Sequence, residues 1–425
     1  MKFFVHTLGC KINQYESQAI REAWISRGFL ETGRVQSAGL VLVNSCAVTA
    51  NAVQDLRSLI RKYRRINPKA RLVVTGCAAR IAAPELEDIP DIVLVPQERK
   101  AEIADFPGPM QPRRLEDLTV STYFRSRAVV KVQDGCSHGC TYCIVPLTRG
   151  PSRSRDSGEI LTEIRRLLAS GIREITLGGI NLRQFGMEFT PALDFWDLLL
   201  SVDQALAGEW AGRARLRISS LEPSELGPKA LKTLSRCRMV CPHLHLSLQS
   251  GSAAVLERMN RGHYAPEQAE EFLAALASHW PVFGLGADIL VGFPGESDED
   301  FQKTLGLLTR LPLSYAHVFP FSPRPGTAAA GYPDQIPVAI RKDRAAILRT
   351  TMEPKRTEFL NRLLRLQSLD IVLEGKRKGT CEYYVDCELL EPAVEQKGAM
   401  IPARPTGIDQ GKIIVTTLAC GTKPS

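Results

Sequence analysis

The sequence has no long apolar run. The stretch that follows Met1 is too short for the apolar core of a signal peptide. No later segment approaches the roughly 20 apolar residues that a membrane-spanning helix needs. These absences argue against an exported or membrane-embedded chain, and we expect a cytoplasmic protein with no membrane partner.

The chain also lacks a strong charge surplus and an even set of cysteines. Its formal net charge is +8, which only hints at an anionic partner. It has 11 cysteines, an odd number that favours metal or redox roles over a disulfide framework. With 425 residues, of which 44% are hydrophobic and 24% charged, the chain has the composition of a globular protein of two or three domains.

Three cysteines lie close together at Cys136, Cys140 and Cys143, and no obvious fourth follows. A cubane iron-sulfur cluster held by three cysteines keeps one iron open to a substrate or cofactor. A structural zinc site is closed by four protein ligands. His138 lies between two of the cysteines, where one metal would have difficulty accepting it alongside all three. The segment therefore favours an iron-sulfur cluster, with a zinc site as the alternative.

The spacing Cys-x3-Cys-x2-Cys, with Tyr142 before the last cysteine, resembles the signature of radical S-adenosylmethionine (SAM) enzymes. The resemblance implies that the open iron chelates the amino and carboxylate groups of SAM. It also implies that the cluster reduces SAM to a 5′-deoxyadenosyl radical.

Three other cysteines, Cys10, Cys46 and Cys77, each follow a predicted strand. The predicted strands are Lys2 to Thr7, Gly39 to Val43 and Arg71 to Val74, and they alternate with helical segments at Tyr15 to Arg27 and Thr49 to Ile66. This β-α-β-α-β order predicts a parallel sheet, in which ligands gather at the carboxyl ends of the strands. We therefore expect a second three-cysteine cluster; the alternative is three buried core cysteines.

Two such cysteine sets in one chain resemble the methylthiotransferase family of radical SAM enzymes. The segment Leu8 to Ser17 is similar to the opening of the subgroup that acts on N6-threonylcarbamoyladenosine in tRNA. Asn44 to Thr49 and Val74 to Ala78 are similar to its second and third cysteine motifs, although Ser45 and Ala47 depart from the expected threonines.

The resemblance implies two 4Fe-4S clusters and S-adenosyl-L-methionine as cofactors. The cluster on Cys136, Cys140 and Cys143 would cleave one SAM, and the cluster on Cys10, Cys46 and Cys77 would hold the sulfur that a second SAM methylates. The product would carry a methylthio group at C2 of N6-threonylcarbamoyladenosine beside the anticodon. The expected partners are the tRNA anticodon arm and an electron-donor protein, and we expect a monomer.

The predicted fold class is α/β, in three domains. Residues 1–98 form an N-terminal parallel α/β domain with the auxiliary cluster, residues 125–355 an incomplete (βα)6 radical SAM barrel, and residues 366–425 a small TRAM-like β-barrel that holds RNA. The predicted core strands are Val129 to Val132, Glu174 to Leu177, Arg215 to Ile218, His243 to Leu248, Leu285 to Val291 and Tyr315 to Phe319. Gln97 to Arg127 loses periodicity and is interpreted as an interdomain linker.

Small and polar residues follow several of these strands, at the edge where a barrel of this type places its active site. By the resemblance we assign Gly178, Gly179, Asn181, Glu222 and Gln249 to the SAM pocket. Arg149, Arg153 and Arg155 follow the cluster loop and are candidates to bind phosphate or the SAM carboxylate; the alternative is a solvated basic face. The histidines at 243, 245 and 317 more often make local hydrogen bonds than bind a metal.

Two surfaces compete for RNA. The basic segment Arg57 to Lys69 lies near the N-terminal cysteines, whereas the tail is nearly balanced in charge and offers Lys376 to Lys378 with Tyr383 and Tyr384. No role is assigned to Cys237, Cys241, Cys381, Cys387 and Cys420. Three functional alternatives remain: methylthiolation of isopentenyladenosine in tRNA, methylthiolation of an aspartate of a ribosomal protein, and a zinc-binding RNA adaptor without catalysis.

Overall fold

The computed structural model describes residues 1–47, 50–86, 89–114 and 117–418. In these residues no helix is both long and apolar enough to cross a membrane. Val48, Thr49 and Cys420 lie outside the described residues, and so does the end of the predicted tail domain.

The N-terminal part of the chain forms a five-stranded parallel sheet with the order β2-β1-β3-β4-β5. Its strands and helices are β1 (Lys2–Thr7), α1 (Lys11–Ser26), β2 (Leu30–Glu31), β3 (Leu40–Ser45), α2 (Ala50–Ile66), β4 (Arg71–Gly76), α3 (Cys77–Leu86) and β5 (Ile92–Leu94). The central strand β3 is buried along its whole length, as expected for a parallel strand covered on both faces.

Two features of this region differ from the sequence prediction. Helix α1 begins at Lys11, directly after Cys10, rather than at Tyr15. The segment interpreted as a linker begins with a 3-10 helix, Gln97–Asp105, whose Lys100 is fully buried. Lys100 can be buried because it pairs with Glu16 of α1, a partner that no local pattern reveals.

The central part alternates strands and helices. Its elements are β6 (Arg127–Lys131), β7 (Gln133–Asp134), α4 (Val145–Arg149), β8 (Arg153–Ser154), α5 (Ser157–Ala169), β9 (Glu174–Gly178), α6 (Phe195–Trp210), β10 (Arg215–Ile218), β11 (Ser220–Leu221), α7 (Pro228–Arg236), β12 (His243–Gln249), α8 (Ala253–Arg258), α9 (Pro266–Leu276), β13 (Gly284–Val291), α10 (Asp298–Arg310) and β14 (Tyr315–Pro320). Short 3-10 helices lie at Val35–Ser37, Leu182–Gln184, Pro223–Glu225 and Ala328–Gly331.

The central strands form two parallel sheets that together make an incomplete barrel. The order is β10-β9-β6 in one sheet and β11-β12-β13-β14 in the other, and a single bridge from Leu216 to Val240 links them. The six predicted core strands are all present, with ends that differ by one or two residues. Their carboxyl ends lie on one side, which is where the sequence places the candidate site residues.

Helix α11 (Val338–Leu364) connects this core to a small closed barrel in the order β15-β16-β17-β19-β18. The strands are β15 (Leu369–Gly375), β16 (Lys378–Cys381), β17 (Asp386–Leu389), β18 (Met400–Asp409) and β19 (Lys412–Thr417). The sequence predicts tail strands at Ser368 to Val372, Cys381 to Leu389 and Lys412 to Leu418, and it therefore misses β18 and all but the last residue of β16.

Two buried arginines fix the small barrel to the amino ends of the core strands. Arg215 and Arg217 both pair with Glu174, at 2.6 and 2.8 Å. Their remaining nitrogens donate to backbone oxygens of the small barrel, including those of Asp370 and Glu382. Arg217 and Arg215 hold the pKa of the Glu174 carboxyl well below its usual range against the opposing effect of burial, so this carboxylate remains charged.

Candidate active site

The three clustered cysteines lie on the loop between β7 and α4. The amide of Cys136 donates to the oxygen of Gly150 at 3.0 Å and so closes the loop, and the amide of Cys143 donates to the oxygen of Cys140 at 3.0 Å. All three cysteines are half-buried. The backbone thus presents three thiols from one tight loop beside the carboxyl end of β6.

The three thiols act on one another. Burial, reinforced by the neighbouring Cys140 and Cys136, raises the pKa of the Cys143 thiol to about 12. The guanidinium of Arg261 lies 3.6 Å from the Cys140 sulfur, and the amide of Asn181 lies 3.7 Å from the Cys136 sulfur. Such donors favour the thiolate form that a metal requires.

The donor set fits a cluster with one open iron rather than a closed zinc site. His138 makes a 2.8 Å hydrogen bond to the backbone oxygen of Asn260, so its imidazole is engaged away from the thiols. Within the described ranges, no three His, Cys, Asp or Glu side chains are already arranged as a metal site.

Polar side chains surround this loop at the strand ends. Asn181 donates to Glu222 at 3.1 Å, and Arg261 donates to the same carboxylate oxygen at 3.2 Å. His263 contacts the second oxygen of Glu222 at 2.9 Å. Burial opposes ionisation of Glu222, but Arg261 and His263 together hold its pKa below the usual range.

The structure brings Asn181 and Glu222 together, as expected of two residues of one pocket. Gly178 and Gly179 lie at the end of β9, but the space above them is already filled by protein. A Cβ on Gly179 would lie 2.8 Å from the Leu182 side chain, and one on Gly178 would lie 3.1 Å from Val129. Gln249 ends β12 in a left-handed conformation, with φ of 61°, and among the described residues it makes no hydrogen bond to the other four. The assignment of all five to SAM stays a prediction.

The three N-terminal cysteines follow β1, β3 and β4 and so lie at the carboxyl-end edge of the sheet. Gly9 has φ of +94°, and a Cβ there would lie 2.4 Å from the Cβ of Cys46, so only glycine allows this approach. Cys46 and Cys77 are buried, whereas Cys10 is exposed. The protein that surrounds the Cys10 thiol raises its pKa. The positive charge of Arg149 lowers that pKa, and the Cys77 thiol raises it.

Arg149 does not have the role that the sequence suggested. It follows the Cys136 loop, yet its side chain is buried against the N-terminal sheet, where it donates to Glu16 at 3.0 Å, to Asp134 at 2.7 Å and to Asn13 at 2.6 Å. With these partners it is not available to a phosphate or to the SAM carboxylate.

Arg149 belongs to a buried charge network between the two cysteine sets. Glu16 is fully buried and pairs with Lys100 at 2.5 Å and with Lys131 at 3.5 Å. Lys131 also pairs with Asp134 at 3.1 Å, two residues before Cys136. Three cations therefore share two carboxylates in the space that separates the two sets of thiols.

The other two arginines that follow the cluster loop differ in their exposure to solvent. Arg155 is buried and pairs with Glu163 at 2.6 Å, so it too is structural, whereas Arg153 is exposed. The histidines behave as expected from local hydrogen bonding: His243 and His245 both contact the Tyr315 hydroxyl, and His245 lies 3.1 Å from Asp288.

Sequence reasoning missed Arg261 and His263, which lie between β12 and α9 with no pattern of their own. It also missed the role of Glu16. Asn13 and Glu16 lie three residues apart on α1 and therefore share one face of the helix. Two polar residues on the face that also carries Ile12 and Ile20 were the signal from which a buried polar network could have been predicted.

Comparisons with known proteins agree with this architecture. Residues 130–308 match the model of the Radical SAM superfamily, and residues 2–95 match that of the uncharacterized protein family UPF0004. A solved radical SAM methyltransferase, TsrM from Kitasatospora setae, shares the fold with a TM-score of 0.56 at 16% identity, over 77% of each chain.

Curated relatives cover nearly the whole chain. The threonylcarbamoyladenosine tRNA methylthiotransferase MtaB of Aquifex aeolicus is 33% identical over 91% of this chain and 96% of its own. The protein of the same name from Bacillus subtilis is 34% identical over 89% and 86%. A tRNA-2-methylthio-N(6)-dimethylallyladenosine synthase from Moorella thermoacetica is 33% identical over 88% of each chain.

Proposed function

The chain belongs to the methylthiotransferase family of radical SAM enzymes, and from that premise we propose that it adds a methylthio group to C2 of N6-threonylcarbamoyladenosine in tRNA. The observation that carries the proposal is the presence of two separate three-cysteine sets, one at the strand ends of the N-terminal sheet and one in the central barrel, in a chain that matches its relatives along nearly its whole length.

The Cys136 loop binds the 4Fe-4S cluster that this family shares with other radical SAM enzymes. When bound there, the cluster and SAM supply the reductive cleavage of SAM that acidic, basic and nucleophilic side chains cannot provide. Arg261 and Asn181 donate toward the thiolates, and their N–H groups offset the negative charge of three sulfurs. Glu222 offers a carboxylate of lowered pKa beside the loop, suited to the amino group of SAM.

The second part of the proposal is an auxiliary cluster on Cys10, Cys46 and Cys77. These thiols lie at one edge of the sheet, and Gly9 brings the first loop onto Cys46. The cationic surroundings support it, because Arg149 acts on both Cys10 and Cys77 and would stabilise their thiolate forms. This site would carry the sulfur that a second SAM methylates.

The choice of nucleoside cannot rest on identity, because relatives of both tRNA specificities match at 33%. The charge of a neighbouring cavity favours the threonylcarbamoyl group, which ends in a carboxylate. Lys11, the residue after Cys10, borders a cavity of about 370 Å³ together with Arg125, Arg127 and Lys397. An isopentenyl group is neutral and cannot form an ion pair with these cations.

Among the cations that line this cavity, Lys11 is the best placed to bind the carboxylate of the threonylcarbamoyl group. Its ammonium lies 5.4 Å from the centre of the Tyr384 ring, and it has no ion pair with any described residue. Arg127, in contrast, already pairs with Glu374 at 2.7 Å. A charged hydrogen bond contributes about 1.5–3 kcal/mol, which corresponds to a preference of about 10- to 100-fold.

The test compares three tRNA substrates that carry adenosine, N6-threonylcarbamoyladenosine or isopentenyladenosine at the same position. Wild-type enzyme should methylthiolate the threonylcarbamoyladenosine tRNA preferentially. Lys11→Gln should lose most of that preference in kcat/KM, and Lys11→Arg, which keeps the charge, should retain it. Equal preference in the wild type and Lys11→Gln would show that another residue reads the substrate, and preferential turnover of isopentenyladenosine tRNA would overturn the proposed substrate.

A further inference from the structure

We propose that the cleft between α2 and the loop after β14 binds a backbone phosphate of the substrate RNA, and that Arg324 is its central ligand. This inference rests on the proposed function, since it takes tRNA as the substrate. It assigns a binding residue far along the chain from the basic segment that the sequence singles out.

Arg324 is buried without the partners that a buried arginine requires. The residue is only 4% exposed. Its Nε is buried and has no hydrogen-bond partner, whereas its terminal nitrogens, which make no hydrogen bond or ion pair with the described residues, face the cleft. Burial of a charged group without a partner is costly, so an anion from outside the chain is the expected partner.

The cleft that contains Arg324 is cationic. It has a volume of about 530 Å³, and its lining includes Arg57 and Arg61 of α2 and no acidic residue among those described. Arg57 and Arg61 are four residues apart and so lie on one face of the helix, opposite Arg324. Arg61 and Arg324 bring like charges to one cleft, and a bound anion would reduce the repulsion between them.

The position of the cleft ties it to the N-terminal cysteines. The lining of the cleft includes Gln54 of α2 and Ile81 of α3, and these are the helices that follow the Cys46 loop and begin at Cys77. An anion held in the cleft would therefore lie on the side of the N-terminal sheet that carries these cysteines. A phosphate bound there would hold the attached nucleotide on that same side.

A phosphodiester chain fits better than a small free anion. The cleft is open to solvent, and exposed cations of α2 continue away from it at Arg61, Lys62 and Arg65. A line of positive charge that extends from a buried arginine is suited to a polyanion. Guanidinium also matches phosphate oxygens in a two-pronged geometry that lysine cannot reproduce.

The test is the salt dependence of tRNA binding to the full, anaerobically reconstituted chain. Each lost phosphate contact in a single-stranded loop lowers the slope of log K against log salt by about 0.7. Arg324→Gln should therefore bind more weakly and with a slope lower by about that amount, while Arg324→Lys should keep the slope and lose part of the affinity. Arg166→Gln, an exposed arginine of α5, is the matched control and should match the wild type.

A second measurement does not depend on the fold of a variant. In wild-type protein, RNAs that carry a single neutral methylphosphonate at successive positions should reveal one phosphate whose neutralisation lowers the slope. That substitution should have no further effect in Arg324→Gln. Equal slopes and affinities for Arg324→Gln and wild type would overturn the inference. Failure of the wild type to bind any tRNA would instead overturn the proposed function.

Discussion

Glu16 is expected to be the most important single charge for the stability of the N-terminal half. It is fully buried on α1 and is the common partner of Lys100, Arg149 and Lys131, at 2.5, 3.0 and 3.5 Å. Glu16→Gln keeps the shape of the side chain but removes the carboxylate that these three cations share. Breaking a buried pair costs about 3–5 kcal/mol, and we expect the upper part of that range because three cations lose one carboxylate.

Glu16 pairs with three cations, whereas the ion pair of Lys100 is with Glu16, which gives an asymmetric prediction. Lys100→Met removes one of the three pairs and should destabilise less than Glu16→Gln. The double variant should be less destabilised than the sum of the two single variants, with a coupling of about 0.5–3 kcal/mol. Glu22→Gln is the matched control on the same helix, because Glu22 accepts hydrogen bonds from Ser121 and Thr122 near the surface, and it should cost about 1 kcal/mol.

The effect of pH has a definite sign. Burial alone would raise the pKa of Glu16, but Arg149, Lys100 and Lys131 hold it well below its usual range. The stabilisation is therefore present above the ordinary pKa of an unfolded glutamate, about 4.3, and is lost as the pH falls through the lower folded value. Glu16→Gln should remove this part of the acid sensitivity.

The assay is urea unfolding of the reduced chain without iron, followed by hydrogen exchange of α1 and the Gln97–Asp105 helix. Local exchange is needed because a chain with several folded parts does not unfold in two states. A loss below about 1 kcal/mol for Glu16→Gln, or a Lys100→Met variant that is the less stable of the two, would refute the charge balance described above.

Three further predictions concern the clusters and the RNA. Anaerobically reconstituted protein should hold about eight irons, and replacement of Cys136, Cys140 and Cys143 by alanine should halve that number; saturation at about four irons, or stoichiometric zinc, would contradict two clusters. The triple alanine variant at Cys10, Cys46 and Cys77 should still release 5′-deoxyadenosine from SAM yet transfer no methylthio group, whereas normal transfer would exclude this site as the sulfur carrier. Replacement of Arg61, Lys62 and Arg65 by glutamine should lower the salt dependence of tRNA binding more than replacement of Lys376, Arg377 and Lys378; the reverse order would place the phosphate-binding surface on the small barrel. Arg64 is left out of the first set because it donates to the backbone oxygens of Ala70 and Pro90 and so holds the end of α2 in place.

The alternation of strands and helices could be read from the sequence because apolar runs with regular spacing mark them directly. β18 could not, since Pro402, Pro405 and Gly407 interrupt it and such residues argue against a strand. The structure accommodates them with a shift of register between Pro405 and Gly407. The prediction failed where tertiary pairing overrides a local signal.

The same reason limits prediction of the site. The cysteine ligands could be proposed because their spacing and their position after strands are local properties. The roles of Arg149 and Arg155 could not, because each is decided by a carboxylate from a distant segment, Glu16 for one and Glu163 for the other. Tyr384, which the sequence offers as an RNA contact, is half-buried with its ring 5.0 Å from the guanidinium of Arg217, and its contact with RNA stays a prediction.

The most direct test of the proposed activity is the profile of modified nucleosides in tRNA from a strain that lacks this gene. The account predicts that 2-methylthio-N6-threonylcarbamoyladenosine disappears, that N6-threonylcarbamoyladenosine accumulates in its place, and that a wild-type copy, but not the Cys10, Cys46 and Cys77 alanine variant, restores the product. Unchanged 2-methylthio-N6-threonylcarbamoyladenosine, or loss of the isopentenyl derivative instead, would contradict it.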